Sequence, residues 1–186
     1  MRPLFVLLLL LPLVSPAQKS AYVSADVLAH VGKDLDNVGY GVGGSANIGL
    51  TENILLGGSI AGFRMASFLQ NISIPINLRA TFFADVDEDR ILPFGLLEFG
   101  KIFYKQETQM QDRRQDLRGQ FNLFAGIGVR FPSQSRLHPT LSMGYSALLY
   151  RANEFSTNNT LLSQQNFNLK RVTVRAGFII PRKKLY

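Results

Sequence analysis

The stretch that most constrains the fold of this chain runs from Gly39 to Met65 and reads GYGVGGSANIGL, TEN, ILLGGSIAGFRM. Successive residues of a strand point to opposite faces, so one face here is bulky and apolar and the other is small and polar. The first face carries Tyr40, Val42, Ala46, Ile48 and Leu50, and the second carries Gly41, Gly43, Ser45, Asn47 and Gly49. The short polar connection Thr51 to Asn53 leads straight into the second run, which predicts a β-hairpin.

The same alternation recurs along the rest of the chain. It covers Ala21 to Val31, Ile72 to Ala84, Ile91 to Tyr104, Gly119 to Phe131, Thr140 to Leu149 and Arg171 to Ile180. The count is about eight strands, each near the length that a tilted strand needs to cross a bilayer. Short connections follow strands two, four and six, and long ones follow strands five and seven. This pattern predicts an all-β, eight-stranded antiparallel up-and-down transmembrane β-barrel with both termini on the periplasmic side.

The first 17 residues differ in character from the rest. A basic start at Arg2, an apolar stretch from Leu4 to Val14 and the small residues Ser15 to Ala17 are typical of a secretory signal peptide cleaved after Ala17. A retained membrane anchor is the alternative, but the apolar part is short and Pro12 interrupts it. We therefore predict a signal peptide over 1–17 and a barrel domain over 18–186. The chain has no cysteine, which excludes disulfides and thiol chemistry.

Charge is scarce and mostly basic. Charged residues make up 18% of the chain, below the roughly 25% usual for soluble domains. The formal net charge is +7, but the basic residues are scattered through predicted loops and strand ends. Because an exported chain rarely meets nucleic acid, we expect contact with anionic lipid headgroups and no nucleic-acid partner.

Alternation by itself also fits a soluble ligand-binding barrel with an apolar interior. The small polar face favours the membrane barrel, because a narrow lumen must be filled by small or mutually paired polar residues. A lone charge in hydrocarbon is costly, so mid-strand charges should point inward and pair. We predict two structural lumen ion pairs, Glu98 with Arg79 and Asp26 with Arg175.

Four segments carry a family resemblance: GYGVGGSANIGLTENILLGG, ISIPINLRATFF, ILPFGLLEFGKIFY and VTVRAGFII. Together they resemble the small outer-membrane β-barrel proteins of Gram-negative bacteria, the outer membrane protein beta-barrel domain family. The resemblance implies insertion into the outer membrane by the barrel-insertion machinery. That machinery recognises a terminal aromatic residue, for which Phe178 and Tyr186 are the candidates.

Some small barrels of this kind modify lipid, so catalytic residues must be considered. Nucleophilic hydrolysis needs a serine with a positioned histidine. The histidines His30 and His138 are expected at opposite rims, which predicts a protein without catalytic residues or cofactor. Asp85 to Asp89 resembles the start of a calcium loop, but Arg90 stands where the glycine belongs and Leu96 where the bidentate acid belongs. We predict a solvated turn there and no metal site.

The long polar segments are the remaining candidates for specificity. The segment Lys105 to Arg118 contains Arg113, Arg114 and Arg118, whose guanidinium groups suit the phosphates of lipopolysaccharide or an acidic partner. The Asn-rich segment Asn153 to Gln165 is the second predicted loop. The sequence favours a non-enzymatic structural or surface-interaction protein. A narrow channel or transport accessory with an arginine-lined lumen, and a lipid-modifying enzyme, are the alternatives.

Overall fold

The computed structural model describes residues 21–32, 38–65, 69, 71–85, 90–110 and 112–182. Its strands are β1 (Ala21–Val31), β2 (Val38–Gly49), β3 (Ile54–Met65), β4 (Ile74–Phe83), β5 (Leu92–Phe103), β6 (Lys105–Met110), β7 (Arg113–Arg130), β8 (His138–Ser156) and β9 (Leu161–Arg182). The predicted signal peptide over 1–17, most of the predicted acidic turn and Tyr186 lie outside the described residues.

The strands close into a single barrel. Neighbouring strands pair antiparallel from β1 to β5 and from β6 to β9, β5 pairs with β7, and β1 pairs with β9. Strands β5 and β6, separated at Tyr104, both pair with β7 and together form one barrel strand. The predicted eight-stranded antiparallel up-and-down barrel is therefore confirmed. In the part of the chain that is described, there is no helix with the length and apolarity needed to cross a membrane.

The bulky apolar face of the strands points outward. Leu78 in β4 is 74% exposed, Ile127 in β7 is 73% exposed and Val42 in β2 is 63% exposed. The face of Ile72 to Phe82 that carries Ile72, Ile74, Ile76, Leu78 and Phe82 is on the outside. So much bare apolar surface is suited to hydrocarbon and not to water. The arrangement therefore fits the membrane barrel and not the soluble one.

The glycine face of the opening hairpin points into the lumen, where space is limiting. A Cβ atom at Gly57 would lie 2.6 Å from the Cα atom of Asn47, and one at Gly41 would lie 2.7 Å from the Cα atom of Phe63. No real Cβ atom tolerates such contacts without a shift of the backbone. Glycine is needed at these two positions because the facing strand approaches them closely.

One end of the barrel has short connections, and we call it the turn end. It includes the β2–β3 connection, where the Leu50 amide donates to the Ile54 carbonyl at 2.8 Å and the Ile54 amide donates to Thr51 Oγ1 at 3.1 Å. The predicted turn at Thr51 to Asn53 is therefore confirmed. The β7–β8 connection and the start of β1 lie at the same end.

The opposite end carries a four-stranded extension that we call the arm, made of residues 105–110, 112–118 and 151–169. The two segments predicted as long loops, Lys105 to Arg118 and Asn153 to Gln165, belong largely to strands, and that prediction was wrong. Most side chains on these strands are polar, and the few apolar ones, such as Leu117 and Phe167, do not alternate regularly, so the pattern that predicts a strand is missing. Cross-strand pairs such as Arg113 with Glu154 contribute to the pairing instead.

Candidate functional site

A bidentate ion pair occupies the centre of the lumen. Arg175 on β9 donates from Nη1 to Glu98 Oε1 at 2.8 Å and from Nη2 to Glu98 Oε2 at 2.6 Å. The two residues belong to strands on different sides of the barrel, so the pair spans the lumen. Two parallel bonds between a guanidinium and a carboxylate are the strongest form of this interaction.

Arg79 on β4 joins a second carboxylate to this pair. Its Nη1 atom lies 3.4 Å from Asp26 Oδ2 and 3.6 Å from Glu98 Oε1. The side chains of Arg79, Asp26 and Glu98 are 5%, 8% and 1% exposed. Two carboxylates and two guanidiniums therefore form one buried cluster without excess charge, as burial in a narrow barrel requires.

All four residues predicted to form lumen ion pairs meet in this cluster. Arg79 and Glu98 are direct cross-strand partners at 3.6 Å, as their antiparallel register implies. The predicted pairing of Asp26 with Arg175 was wrong in its partner: Asp26 contacts Arg79. The register places Gly177 opposite Asp26, so Arg175 is two residues nearer the arm end and reaches across the lumen to Glu98. Counting along neighbouring strands cannot show a contact across the lumen.

Phe124 is a lumen residue that the sequence analysis missed. Its ring is fully buried, and the guanidinium carbon of Arg175 lies 4.2 Å from the ring centroid. A desolvated cation over an aromatic face gains about 2 kcal/mol. Its position in the sequence does predict the lumen, because Phe124 alternates in phase with Asn122 and Gly126 and therefore lies on the face that otherwise carries small residues.

Neutral polar side chains surround the charged cluster. Ser24 and Ser45 hydroxyls lie 2.8 Å apart, and Asn47 Nδ2 donates to Ser45 Oγ at 2.7 Å. Asn122 Nδ2 donates to Asn77 Oδ1 at 3.0 Å. These hydrogen bonds satisfy polar groups of the lumen, for which the hydrocarbon around the barrel offers no partners.

Apolar side chains pack in the lumen on both sides of the polar layer, together with further buried cations, Arg171 toward the arm end and Arg130 toward the turn end. Toward the arm end lie Leu28, Phe63, Met65, Leu69, Ile102, Tyr104, Leu148 and Tyr150. Toward the turn end lie Leu55, Phe83, Leu92, Phe94, Leu96, Phe124 and Ile179. The cavity lined by the charged cluster has a volume of about 20 Å³, which is room for about one water molecule. Little free space is therefore left between the side chains of the charged layer.

The two histidines are far apart along β9. His30 is in register with Thr173, toward the arm end, and its Nδ1 atom lies 2.8 Å from Thr173 Oγ1. His138 is in register with Ile179, toward the turn end. His30 is buried in the lumen, out of contact with the outer surface. Within the described residues, no group of three or more His, Cys, Asp or Glu side chains is placed to hold a metal ion.

The structure separates the three predicted contact arginines. Arg113 lies on the same face of β7 as the lumen residues, and its Nη1 atom lies 2.8 Å from Glu154 Oε1. Arg114 and Arg118 lie on the outward face. Arg114 stacks on Phe155, with its guanidinium carbon 5.0 Å from the ring centroid. The hydrogen bond from Arg118 to Asp116, followed by the charge of Asp116, raises the pKa of Arg118 above its ordinary value.

Comparisons with known proteins give structural likeness at low identity. No family profile matches the chain, and no curated protein matches it. The N-terminal β-barrel domain of OprF from Pseudomonas aeruginosa is 13% identical, with 88% of this chain and 98% of that one covered and a TM-score of 0.46. A major outer membrane protein from Thermus thermophilus is 11% identical, with 87% and 99% covered and a TM-score of 0.46. An outer membrane channel from Pseudomonas putida is 6% identical, with 90% and 97% covered and a TM-score of 0.30.

The architecture is therefore defined by the chain's own strand pairing and surface. Eight antiparallel strands close through β1 with β9, the outer surface is apolar, and side chains fill the lumen. By these features the chain is a closed eight-stranded antiparallel β-barrel of the transmembrane type, with an apolar outer surface and a lumen filled by side chains.

Proposed function

We propose that this protein is a non-conducting, non-enzymatic barrel of the outer membrane with a structural or surface-interaction role. The turn end, where β1 begins and β9 ends, faces the periplasm, and the arm projects from the cell surface. The observation that supports this proposal is the closure of the lumen, in which the pair of Glu98 and Arg175 lies between two apolar layers. Ions have no continuous aqueous path through such an interior.

Planar bilayer recording tests the closed lumen. The full-length mature protein, refolded and inserted, is expected to show no discrete conductance steps. Insertion is verified separately by the shift in gel mobility on heating. Discrete steps in the wild type, with a size or ion selectivity changed by Arg175→Gln and unchanged by the outward-facing Ile127→Ala, would show a channel and contradict the proposal.

Lipid analysis tests the absence of enzymatic activity. The buried position of His30 and the separation of the two histidines along β9 support a barrel without a catalytic serine–histidine site. We expect the same lipid A mass spectrum from cells with and without the protein. A new lipid A species that disappears in His30→Ala or His138→Ala would identify a lipid-modifying enzyme instead.

Fractionation tests the location. We propose export through a signal peptide over 1–17, with Gln18 as the first mature residue, and insertion by the barrel-insertion machinery. Phe178, exposed on the outer surface, and Tyr186 are the proposed aromatic signals. The mature protein should be released from the membrane fraction by detergent only. Recovery from the periplasm without detergent would contradict the proposed location.

A further inference from the structure

Nearly all the described charged residues on the outside of the barrel lie on one side of it. On β1 to β4, the only charged side chain on the outward face among the described residues is Arg64. On β5 to β9 the described outward face carries six cations, Lys101, Lys105, Arg114, Arg118, Arg151 and Lys170, and two carboxylates, Glu107 and Asp116. Six minus two leaves an excess of four positive charges on this side.

Three of these cations form a row across adjacent strands, and we call Lys105, Arg118 and Arg151 the basic row. Lys105 is in register with Arg118, and Arg118 is in register with Arg151. The strand spacing of about 4.8 Å makes the row about 10 Å wide. Like charges directly opposite each other destabilise a sheet, so this arrangement needs an anion to offset the repulsion.

The carboxylates of the arm neutralise this row only in part. Lys105 Nζ lies 2.6 Å from Glu107 Oε1, and Arg118 Nη2 lies 2.6 Å from Asp116 Oδ2. Arg151 donates from Nε to Asn166 Oδ1 at 3.3 Å and has no carboxylate partner among the described residues. Lys101 and Lys170 likewise have no carboxylate partner in the described part of the chain. Arg151 is therefore the cation most available to an external anion.

The surface next to the basic row, on its barrel side, is apolar. Phe99, Phe103, Phe121 and Leu149 lie there on the outward face, and the rings of Phe99 and Phe121 have centroids 4.9 Å apart. Lys101 stands among them, with its Nζ atom 5.5 Å from the Phe103 ring centroid. A ligand that suits both surfaces needs anionic groups for the basic row and acyl chains for the aromatic rings. An amphiphile with a phosphorylated headgroup has both.

We propose that the basic row, with Lys101 and Lys170 four residues nearer the turn end, binds the phosphate groups of an outer-leaflet glycolipid whose acyl chains lie along β5, β7 and β8. The proposal rests on the outer-membrane orientation proposed above. Guanidinium groups bind phosphate through two parallel bonds, which suits Arg151 best, because Asp116 already bonds Nε and Nη2 of Arg118. The base of the arm, where the basic row lies, thus contacts the headgroup layer.

Binding of purified lipid A to the full-length folded protein in detergent micelles tests this proposal. The probes are bisphosphorylated lipid A and the same lipid A after removal of both phosphates, and native mass spectrometry gives the affinity. The wild type should prefer the phosphorylated form. Arg151→Gln should weaken that binding roughly fivefold, and the double variant Arg118→Gln, Arg151→Gln about 25-fold. Higher salt should reduce the difference between wild type and variants.

Arg113→Gln is the matched control, because Arg113 lies on the opposite face of the same strand and its loss changes the net charge by the same amount. Its affinity for lipid A should equal that of the wild type. Equal affinity for the two lipid A forms, an equal loss in the Arg113→Gln control, or complete competition by millimolar inorganic phosphate would each overturn the proposal. Folding and insertion of every variant are checked by heat-dependent gel mobility, so a failure here is distinguishable from a failure of the proposed barrel function.

Discussion

Glu98 and Arg175 are 77 residues apart in the sequence and form two charge-assisted hydrogen bonds of 2.8 and 2.6 Å across the lumen. Because β5 and β9 are not neighbours in the sheet, this pair connects parts of the barrel wall that backbone hydrogen bonds do not join directly. Arg79 extends the connection to Asp26 on β1.

Removal of Arg175 should strongly destabilise the barrel. In Arg175→Met the buried Glu98 carboxylate loses both charge-assisted bonds and keeps the longer contact with Arg79 and a hydrogen bond from Ser59, and breaking a buried pair in this way costs about 3–5 kcal/mol. The free energy of unfolding in lipid vesicles, from urea titration, measures the loss. The double variant Glu98→Leu, Arg175→Met should recover much of it, whereas Arg136→Met, at an exposed position in the β7–β8 connection, should behave as the wild type. A loss in the double variant as large as in the single one would contradict this account.

Added volume next to Phe124 should also destabilise the barrel. A Cβ atom at Gly144 would lie 2.5 Å from the Cα atom of Gly126 and 2.7 Å from Cζ of Phe124. We expect Gly144→Ala to reduce the free energy of unfolding by about 1–3 kcal/mol, since the packed lumen must shift. Gly58→Ala is the control, because the nearest atom to its Cβ would be 3.7 Å away. Equal stability of the two variants in urea titration would show that the lumen is not tightly packed at Phe124.

An arginine on the outer surface should cost more in the middle of the barrel wall than at its edge. Leu78 is 74% exposed at mid-strand, and Ile72, 60% exposed, precedes the start of β4 at the arm end. We expect Leu78→Arg to cost about 2–4 kcal/mol in lipid vesicles and Ile72→Arg about 0–1 kcal/mol. Refolding yield and urea titration in vesicles measure both. If Leu78→Arg has no effect, the outward face of β4 does not contact hydrocarbon.

The carboxyl group of Glu107 in the arm should titrate below the ordinary range. The hydrogen bond from Lys105, followed by the Lys105 charge, lowers the pKa of Glu107. Because the folded pKa is depressed, the stabilisation from this pair is present above the ordinary carboxyl pKa and is lost as the pH falls through the folded value. Lys105→Gln should raise the Glu107 pKa toward its ordinary value in an NMR titration of the labelled carboxyl carbon. An unchanged pKa in that variant would mean that the pair does not form in solution.

The sequence by itself determined the closed barrel and the direction in which its strands face. Alternation with period two between bulky apolar residues and Gly, Ser or Asn predicts which side of each strand contacts lipid, as Ile72 to Phe82 shows. Antiparallel register between adjacent strands also brought Arg79 beside Glu98. These are local properties, because each depends on one strand and its neighbour.

The tertiary structure decided the contacts that cross the lumen and the form of the arm. In the closed barrel, the register between β1 and β9 places Gly177 opposite Asp26, so Arg175 is two residues away from Asp26 along β9. Arg175 therefore reaches across the lumen to Glu98 and does not pair with Asp26. The strands of the arm pair antiparallel but carry mostly polar side chains. The sequence of the arm therefore lacks the hydrophobic alternation that predicts a strand. The opening hairpin from Gly39 to Met65 thus establishes that the chain folds into a barrel, and closure determines which charges meet inside it.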